Sequence, residues 1–248
     1  MKKKILAEFI ASFILGSMGL AMVVPLALDH HISDLFQFGL LFGVLTAFVI
    51  IIFSPISGGI INPCATVAMA LSGRLPLREM LPLSAAQIGG WGAGVGAIFV
   101  VFKDKLYEFT ASGAGNAVDL FHCTTDNVWV AVWLEIAISA LMMMLICASM
   151  HEKMINRPTH AVFPFVIAVY IMFAISLTGG YDSTCMNVAR DLGPRIAGLI
   201  YGLINGFDVT HCFGDGLWLL YIIAPIGGAV LGTFFFDKVV VKRLCSEK

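Results

Sequence analysis

Two asparagines with matching surroundings are the residues of this chain best suited to contact a polar solute. Asn62 follows a glycine-containing stretch, residues 57–61, and precedes Pro63, while Asn187 follows a similar stretch, residues 177–186. An asparagine at a helix N-terminus accepts a backbone N–H through its side-chain oxygen, and its own amide N–H groups remain free to donate. Proline is favoured at the next position. The sequence therefore predicts two short helices that begin just after the two asparagines.

The composition is typical of a membrane protein. The chain has 248 residues, of which 59% are hydrophobic and 12% charged, and its mean hydropathy is +0.92. A soluble domain carries about 25% charged residues. The net charge of −1 provides no basic surface for nucleic acid. The six cysteines include no closely spaced pairs of the metal-binding kind. We therefore expect a lipid bilayer as the surrounding medium, and no nucleic-acid partner, metal or cofactor.

Six apolar segments are long enough to cross a bilayer, which takes about 20 residues: residues 5–28, 35–53, 80–102, 128–150, 161–177 and 217–236. The first is longer than a signal-peptide core, so it is interpreted as a retained helix. The helix after Asn62, expected to end near Ser72, is too short to cross. Taken alone, it is also compatible with a turn and helix at the membrane surface. Its repetition around Asn187 favours a fold of six transmembrane helices plus two re-entrant half-helices, an all-α membrane protein.

Lysine and arginine favour the cytoplasmic side of a membrane. With the N-terminus inside, the inner segments contain Lys2, Lys3, Lys4, Arg74, Arg78, Lys153, Arg157, Lys238, Lys242, Arg243 and Lys248, and the outer segments contain Lys103, Lys105, Arg190 and Arg195. This bias predicts an integral protein of the plasma membrane with cytoplasmic N- and C-termini. Cys123 and Cys212 fall in two predicted outer loops, and the loop that contains Cys212 spans residues 201–216. The sequence leaves a disulfide between them open, because nothing fixes their separation.

The two halves of the chain match beyond their asparagines. Glu8 precedes Asn62 by 54 residues, and Glu135 precedes Asn187 by 52. With three spans in each half, the second half must be inverted relative to the first. We therefore expect a single domain, residues 1–248, built as repeats 1–102 and 128–248 joined by an extracellular loop, residues 103–127. A carboxylate within a span is costly unless it finds donors. We expect the two glutamates to bind backbone amides of the re-entrant loops rather than to relay protons.

Two motifs, Ser-Gly-x-x-x-Asn-Pro-x-x-x-x-x-Ala and Met-Asn-x-Ala-Arg-Asp-x-Gly-Pro-Arg, together with this plan resemble the aquaporin (major intrinsic protein) family over essentially the whole chain. The paired pore motif of that family is Asn-Pro-Ala. Here it reads Asn62, Pro63, Cys64 and Asn187, Val188, Ala189. The second proline is missing, and Ile60 stands where a histidine is usual. These departures concern permeation rate and selectivity rather than the fold.

The resemblance implies a pore centred on the two asparagines. Each half-helix points its partially positive N-terminus at the bilayer centre and repels cations. The asparagine amides donate to a passing oxygen, and carbonyls of the re-entrant loops accept from it; these belong to Gly59, Ile60, Ile61, Thr184, Cys185 and Met186. The family's selectivity constriction maps to Phe42, Ile175, Thr184 and Arg190. Cys64 and Cys185 are expected to line the pore, which predicts inhibition by mercurials.

The preferred function is a passive channel for water and small neutral solutes such as glycerol. The stretch 190–195 resembles the aquaglyceroporin pattern, whereas Tyr221 stands where glycerol facilitators tend to carry proline. A homotetramer is implied by the resemblance alone. The alternatives are a water-selective aquaporin with little glycerol flux, a secondary transporter and a closed-pore structural protein of the same fold. A transporter needs a coupling-ion site, for which only Glu8 and Glu135 are available. An enzyme is not expected, since no nucleophile–base pair recurs. The histidines lie in or beside loops, and one of them could gate the pore by titration.

Overall fold

The computed structural model describes residues 1–152, 154 and 160–244; Lys153, Arg157 and Lys248 of the predicted inner segments lie outside this range. The described residues form helices and no strands. The α-helices are α1 (Lys2–Ile14), α2 (Val23–Ala27), α3 (Leu35–Ser57), α4 (Pro63–Leu71), α5 (Leu77–Val101), α6 (Lys103–Ala111), α7 (Val128–Met150), α8 (Phe163–Asp182), α9 (Val188–Asn205), α10 (Thr210–Phe213) and α11 (Leu217–Phe235), and a π-helical segment, Phe236–Leu244, follows α11. Within the described ranges, six helical segments are long and apolar enough to cross a membrane. The predicted all-α membrane fold is therefore confirmed.

The first span is interrupted, although its sequence predicted one continuous helix. A π-helical segment, Leu15–Gly19, separates α1 from α2. Ser17 Oγ donates to the Phe13 carbonyl oxygen over 2.7 Å and so competes with the regular backbone ladder. The close approach of α5 also acts here, because a Cβ on Gly94 would lie 2.6 Å from the Ser17 nitrogen. A π-bulge accommodates both constraints.

The predicted outer loops contain more helix than expected. Residues 103–127 include α6 and a 3₁₀ turn, Ala117–Leu120. The second half-helix, α9, continues to Asn205, so Tyr201 is helical and the prediction of a loop from residue 201 is wrong. Gly206 ends this helix in a left-handed conformation (φ 71°) and donates its N–H to the Gly202 carbonyl.

Cys123 and Cys212 do not form a disulfide. Both thiols are free and fully buried. Cys123 packs with Cys185 and Tyr221, while Cys212 belongs to a separate apolar cluster that includes Val118. The sequence left this disulfide open, and the structure excludes it because the two cysteines pack in different parts of the core.

The helices pack in corresponding pairs in the two halves. Helix α1 packs along α5 and α7 packs along α11, while α5 contacts half-helix α9 and α11 contacts half-helix α4. The pair α3 and α8 joins the halves. Glycines permit these close crossings: a Cβ on Gly90 would lie 2.4 Å from the Phe9 oxygen, and one on Gly228 would lie 2.4 Å from the Ile136 oxygen. Small residues let helix backbones approach closely in membranes, and here they do so where α5 crosses α1 and where α11 crosses α7.

Candidate functional site

The two half-helices meet with their N-termini facing each other, and each is capped by its asparagine. Asn62 Oδ1 accepts the Cys64 N–H over 2.8 Å, and Asn187 Oδ1 accepts the Ala189 N–H over 3.0 Å. In both helices the cap engages the second residue of the first turn. It does so whether proline or Val188 occupies the position in between.

The same asparagines link the two re-entrant loops to each other. Asn62 Nδ2 donates to the Met186 carbonyl over 2.9 Å, and Asn187 Nδ2 donates to the Ile61 carbonyl over 3.0 Å. Each primary amide carries two N–H groups, so each asparagine has a second donor, and the Asn62 Nδ2 atom also lies 3.9 Å from the sulfur of Met142, a weak acceptor. The two carbonyls are thus part of the link between the halves as well as of the loop surface.

Unusual backbone angles turn the loop carbonyls at this point. Ile61, Thr184 and Met186 have φ values of 46°, 49° and 49°, in the left-handed region that residues with a Cβ rarely adopt. Such angles cost free energy and persist only where surrounding contacts hold them. Gly58 and Gly59, with φ values of 98° and 62°, have no such penalty.

Glu8 provides the contacts that stabilise these backbone angles in the first loop. Its carboxylate accepts the N–H groups of Ile60 (3.1 Å) and Ile61 (2.7 Å), the Ser57 hydroxyl (2.5 Å) and the Gln87 amide (2.7 Å). Gln87 is fully buried and also lies 3.1 Å from the Thr66 hydroxyl oxygen through its Nε2. This role of Gln87 was not predicted from the sequence, although a lone amide within an apolar span indicates that the side chain has a buried partner.

Glu135 has the corresponding position in the second loop. It accepts the N–H groups of Cys185 (2.6 Å) and Met186 (2.8 Å), and it is fully buried. Asp182 assists by accepting the Thr184 N–H over 2.9 Å. Both re-entrant loops are therefore held by a buried carboxylate that binds consecutive backbone amides.

A cavity of about 1300 Å³ passes the two asparagines. Its walls include Gly59, Ile60, Ile61, Asn62, Thr184, Cys185, Met186 and Asn187 from the loops. It extends to Ser149 and His160 at one end and to Asp119 and His122 at the other. We call the latter the outer end, after the orientation that the sequence predicts.

The four residues of the expected constriction all line this cavity. Arg190 Nη1 donates to the Phe121 carbonyl over 2.8 Å, and the Thr184 hydroxyl lies 2.7 Å from that of Thr178. Ile175 packs closely over Gly39, where a Cβ would lie 3.2 Å from its own Cβ. Phe42 stacks on Trp91 with ring centroids 6.3 Å apart. One wall is thus apolar, and the other presents a guanidinium and a hydroxyl.

The expectation that Cys64 lines the pore is wrong. Cys64 is fully buried and packs with Met143, Cys147 and Val188, because its position in the first turn of α4 faces α7 rather than the cavity. Pro63, Val188 and Ala189 likewise do not line the cavity. Cys185 contributes to the wall, but its Sγ lies 3.2 Å from the Asn187 carbonyl oxygen and packs beside Tyr221. The Cys64 thiol thus lies away from the cavity, and the Cys185 thiol is turned towards the backbone carbonyls of Asn187 and Tyr221.

A buried ion pair fastens the outer loops to α9, which the sequence did not reveal. Arg195 Nε donates to Asp191 Oδ2 over 2.7 Å, and both side chains are buried. Arg195 also donates to the carbonyls of His211 (2.6 Å), Cys212 (3.0 Å) and Cys123 (2.7 Å). Asp191 Oδ1 accepts the Cys123 N–H over 2.8 Å. The spacing of four residues between Asp191 and Arg195 was the visible signal.

Among the described residues, no group of three or more His, Cys, Asp or Glu side chains is arranged to hold a metal ion. Around the two asparagines, the polar groups that line the cavity are amides, carbonyls, hydroxyls and the Arg190 guanidinium, whereas Arg74, Asp119, His122 and His160 line it elsewhere. Such groups exchange hydrogen bonds with a neutral solute.

In this helical membrane protein, two half-helices meet at their capping asparagines, beside a cavity that crosses the bundle. These features are those of a membrane channel. The model of the major intrinsic protein family matches residues 1–236, and the chain belongs to that family. It is an aquaporin or aquaglyceroporin channel and not an enzyme.

Relatives with assigned functions cover nearly the whole chain. It is 25% identical to aquaporin-9 of Homo sapiens over 96% of this chain and 82% of that one. It is 24% identical to the glycerol uptake facilitator protein of Escherichia coli (98% and 90%) and 23% identical to the propanediol uptake facilitator PduF of Citrobacter freundii (98% and 94%). The crystal structure of the aquaglyceroporin from Plasmodium falciparum superposes with a TM-score of 0.85 over 99% of each chain, at 18% identity. The resemblance found in the sequence is thereby confirmed.

Proposed function

We propose that this protein is a passive channel for water and small polyols such as glycerol, and that it excludes ions. The observation that carries the proposal is the cavity that passes both asparagines with one polar and one apolar wall. A polyol has hydroxyls on one side of its carbon chain and C–H groups on the other. The polar wall can therefore bind the hydroxyls while the apolar wall contacts the C–H groups.

The polar wall supplies donors and acceptors in turn. The second N–H of each asparagine amide, Arg190 and the loop carbonyls can replace the water that a hydroxyl gives up. A cation meets the positive ends of two half-helices and the fixed charge of Arg190. It finds no carboxylate among the cavity-lining residues at the asparagines, because Glu8 and Glu135 are occupied by backbone amides. This arrangement also argues against a coupling-ion site and thus against a secondary transporter.

The choice between polyols and water alone depends on the constriction. Two relatives named above are called uptake facilitators for glycerol and propanediol, which supports polyol transport here. Phe42 and Ile175 are both bulky and both line the cavity, which favours the second candidate, a water-selective channel. We place polyol transport first because the Arg190 and Thr184 side offers hydrogen-bonding groups next to that apolar surface.

We further propose a single channel domain of two inverted repeats, residues 1–102 and 128–248. It would be embedded in the plasma membrane with cytoplasmic termini and assembled as a homotetramer. The corresponding packing of α1 with α5 and of α7 with α11 supports the repeats. The lysine and arginine bias supports the orientation. The apolar outward side chains, such as Trp133 and Val100 (both 73% exposed), suit contact with lipid or with neighbouring copies.

Stopped-flow light scattering on proteoliposomes tests the function, comparing water efflux with glycerol entry. Thr184→Phe should abolish glycerol entry by filling the constriction. Ser176→Phe adds the same ring to an exposed position of α8 and should leave both fluxes unchanged. Fast water flux with background glycerol entry would favour the water-selective channel. Fluxes no faster than those of empty liposomes, with folded protein present, would overturn the channel proposal.

A further inference from the structure

Thr184 is the constriction residue whose hydroxyl is bonded to a second hydroxyl outside the cavity. Its Oγ1 lies 2.7 Å from Thr178 Oγ1 on α8, and either oxygen can be the donor. Thr178 is fully buried and does not line the cavity, whereas Thr184 does. A hydroxyl has a single proton. The direction of this bond therefore decides whether Thr184 presents a donor or only lone pairs to a solute.

A buried carboxylate behind the second re-entrant loop sets that direction. Asp182 is 0% exposed, and its Oδ1 accepts the Thr184 N–H over 2.9 Å. Its Oδ2 is buried and has no hydrogen-bond partner among the described residues. The Thr178 hydroxyl, one helical turn before Asp182, interacts with the same carboxylate. Because an ionised carboxylate only accepts, the Thr178 proton turns towards Asp182, and the Thr178 oxygen is left to accept from Thr184.

The surroundings stabilise this order of donors. Arg190 acts electrostatically on the Asp182 carboxylate, and its positive charge favours the anion. A hydroxyl that donates to an anion also becomes a better acceptor, because hydrogen bonds in a chain polarise one another. The bond to Asp182 Oδ1 in addition holds the backbone of Thr184 at its unusual φ of 49°. The hydroxyl chain thus runs from Thr184 through Thr178 to Asp182.

The neighbouring group of the constriction has the opposite hydrogen-bonding character. Arg190 presents only donors, since a guanidinium has no acceptor. Thr184, with its proton turned away from the cavity, presents only an acceptor. A solute that passes both residues must therefore accept from one and donate to the other. In the first loop, Gly59 occupies the corresponding position before Asn62 and has no hydroxyl, so this pairing exists at the outer end alone.

We propose that Asp182 and Thr178 are positioning residues that make Thr184 a hydrogen-bond acceptor in the constriction. This inference rests on the proposed channel function and adds to it the class of solute, neutral molecules with a donor next to an acceptor, such as polyols and water. A solute hydroxyl accepts from Arg190 and donates to Thr184. Reversal of the chain turns the Thr184 proton into the lumen. Both residues then donate, and the solute proton loses its partner.

Asp182→Asn tests the direction of the chain with little change of shape. The Thr184 N–H keeps an acceptor in the amide oxygen, so the amide nitrogen faces Thr178 and donates to it. Thr178 then donates to Thr184, and Thr184 donates into the lumen. Glycerol entry into proteoliposomes is measured at about pH 8, where carboxylates are ionised. The rate should fall by about fivefold, which corresponds to the loss of one ordinary hydrogen bond.

Further substitutions separate positioning from general damage to the fold. Thr184→Val removes the lumen hydroxyl but keeps the shape of the side chain, so Asp182→Asn should cause no further decrease in this background. Thr178→Val should reproduce the decrease seen in Asp182→Asn, and Thr178→Ser should restore the wild-type rate. Thr233→Val is the matched control, because Thr233 is also fully buried and donates to the Ala229 carbonyl of its own helix. It should leave glycerol entry unchanged.

Wild-type rates in both Asp182→Asn and Thr178→Val would overturn the inference. A further decrease on addition of Asp182→Asn to Thr184→Val would do the same, because Asp182 would then act by a route other than the Thr184 hydroxyl. If Asp182→Asn fails to fold, the valine and serine variants of Thr178 decide the matter. Absence of glycerol entry in folded wild-type protein would instead overturn the proposed polyol transport.

Discussion

Asn62 donates its side-chain amide to the backbone carbonyl of Met186 across the centre of the molecule, over 2.9 Å. The two residues belong to different halves of the chain and lie 124 positions apart. Because Asn62 also caps its own half-helix through Oδ1, one side chain fixes a helix start and an inter-loop link together. Asn187 does the same in the opposite direction through the Ile61 carbonyl.

Replacement of Asn62 by alanine should remove the cap and the link together. Each loss costs roughly 1 kcal/mol, so we expect the free energy of unfolding to fall by about 2 kcal/mol. Thermal unfolding in detergent measures this, and water flux should fall as the loops shift. Asn127→Ala is the matched control, because Asn127 caps α7 and its amide N–H groups make no inter-loop bond in the described structure. Equal losses in the two variants would contradict the role of the link.

Removal of either buried glutamate should leave backbone amides without acceptors. Glu8→Ala and Glu135→Ala each free at least two N–H groups, and each buried unpaired group costs about 1–3 kcal/mol. We therefore expect a large drop in thermal stability and loss of flux in both variants.

Each glutamate has a serine one turn later that serves as its control. The hydroxyls of Ser12 and Ser139 are buried and have no hydrogen-bond partner in the described part of the chain. Ser12→Ala and Ser139→Ala should therefore be neutral or slightly stabilising. If the serine variants lost as much stability as the glutamate variants, packing rather than hydrogen bonding would be the cause.

Replacement by alanine should have different effects on stability at two glycines of α5. A Cβ on Gly90 would lie 2.4 Å from the Phe9 carbonyl oxygen and force α1 and α5 apart, whereas Gly96 has nothing within 4 Å of a Cβ. We expect Gly90→Ala to destabilise the fold by about 1–3 kcal/mol. Gly96→Ala should be neutral, or stabilise it by up to about 1 kcal/mol through helix propensity. Thermal unfolding of the two variants side by side checks this, and a stable Gly90→Ala protein would refute the close crossing.

Mercurials should leave the wild-type flux unchanged, contrary to what the sequence suggested. Cys64 is packed among helices, and the Cys185 thiol is turned to the backbone near Tyr221. Thr184→Cys places a thiol at a side chain that lines the cavity, so this variant should be inhibited. Inhibition of the wild type that Cys185→Ala relieved would show that the Cys185 thiol reaches the lumen.

The parts of the fold that depend on local chemistry could be predicted from the sequence. The six spans follow from apolar length, and the starts of α4 and α9 follow from the capping preference of Asn62 and Asn187. The direction of Cys64 could not be predicted, because it depends on how α4 is rotated against α7. The carbonyl partners of Arg195 could not be predicted either, since the three residues that provide them lie 16, 17 and 72 positions away. The interruption at Ser17 depends on the approach of α5.

Val188 occupies the position where the first half-helix has Pro63, and the helix start is unchanged because Asn187 provides the cap. A duplicated half can therefore drift at this position over evolutionary time without losing its structure. Sequence signatures that demand Asn-Pro-Ala twice would overlook such chains. A signature built on two asparagines, each preceded by a glutamate 52 to 54 positions earlier, would retain them.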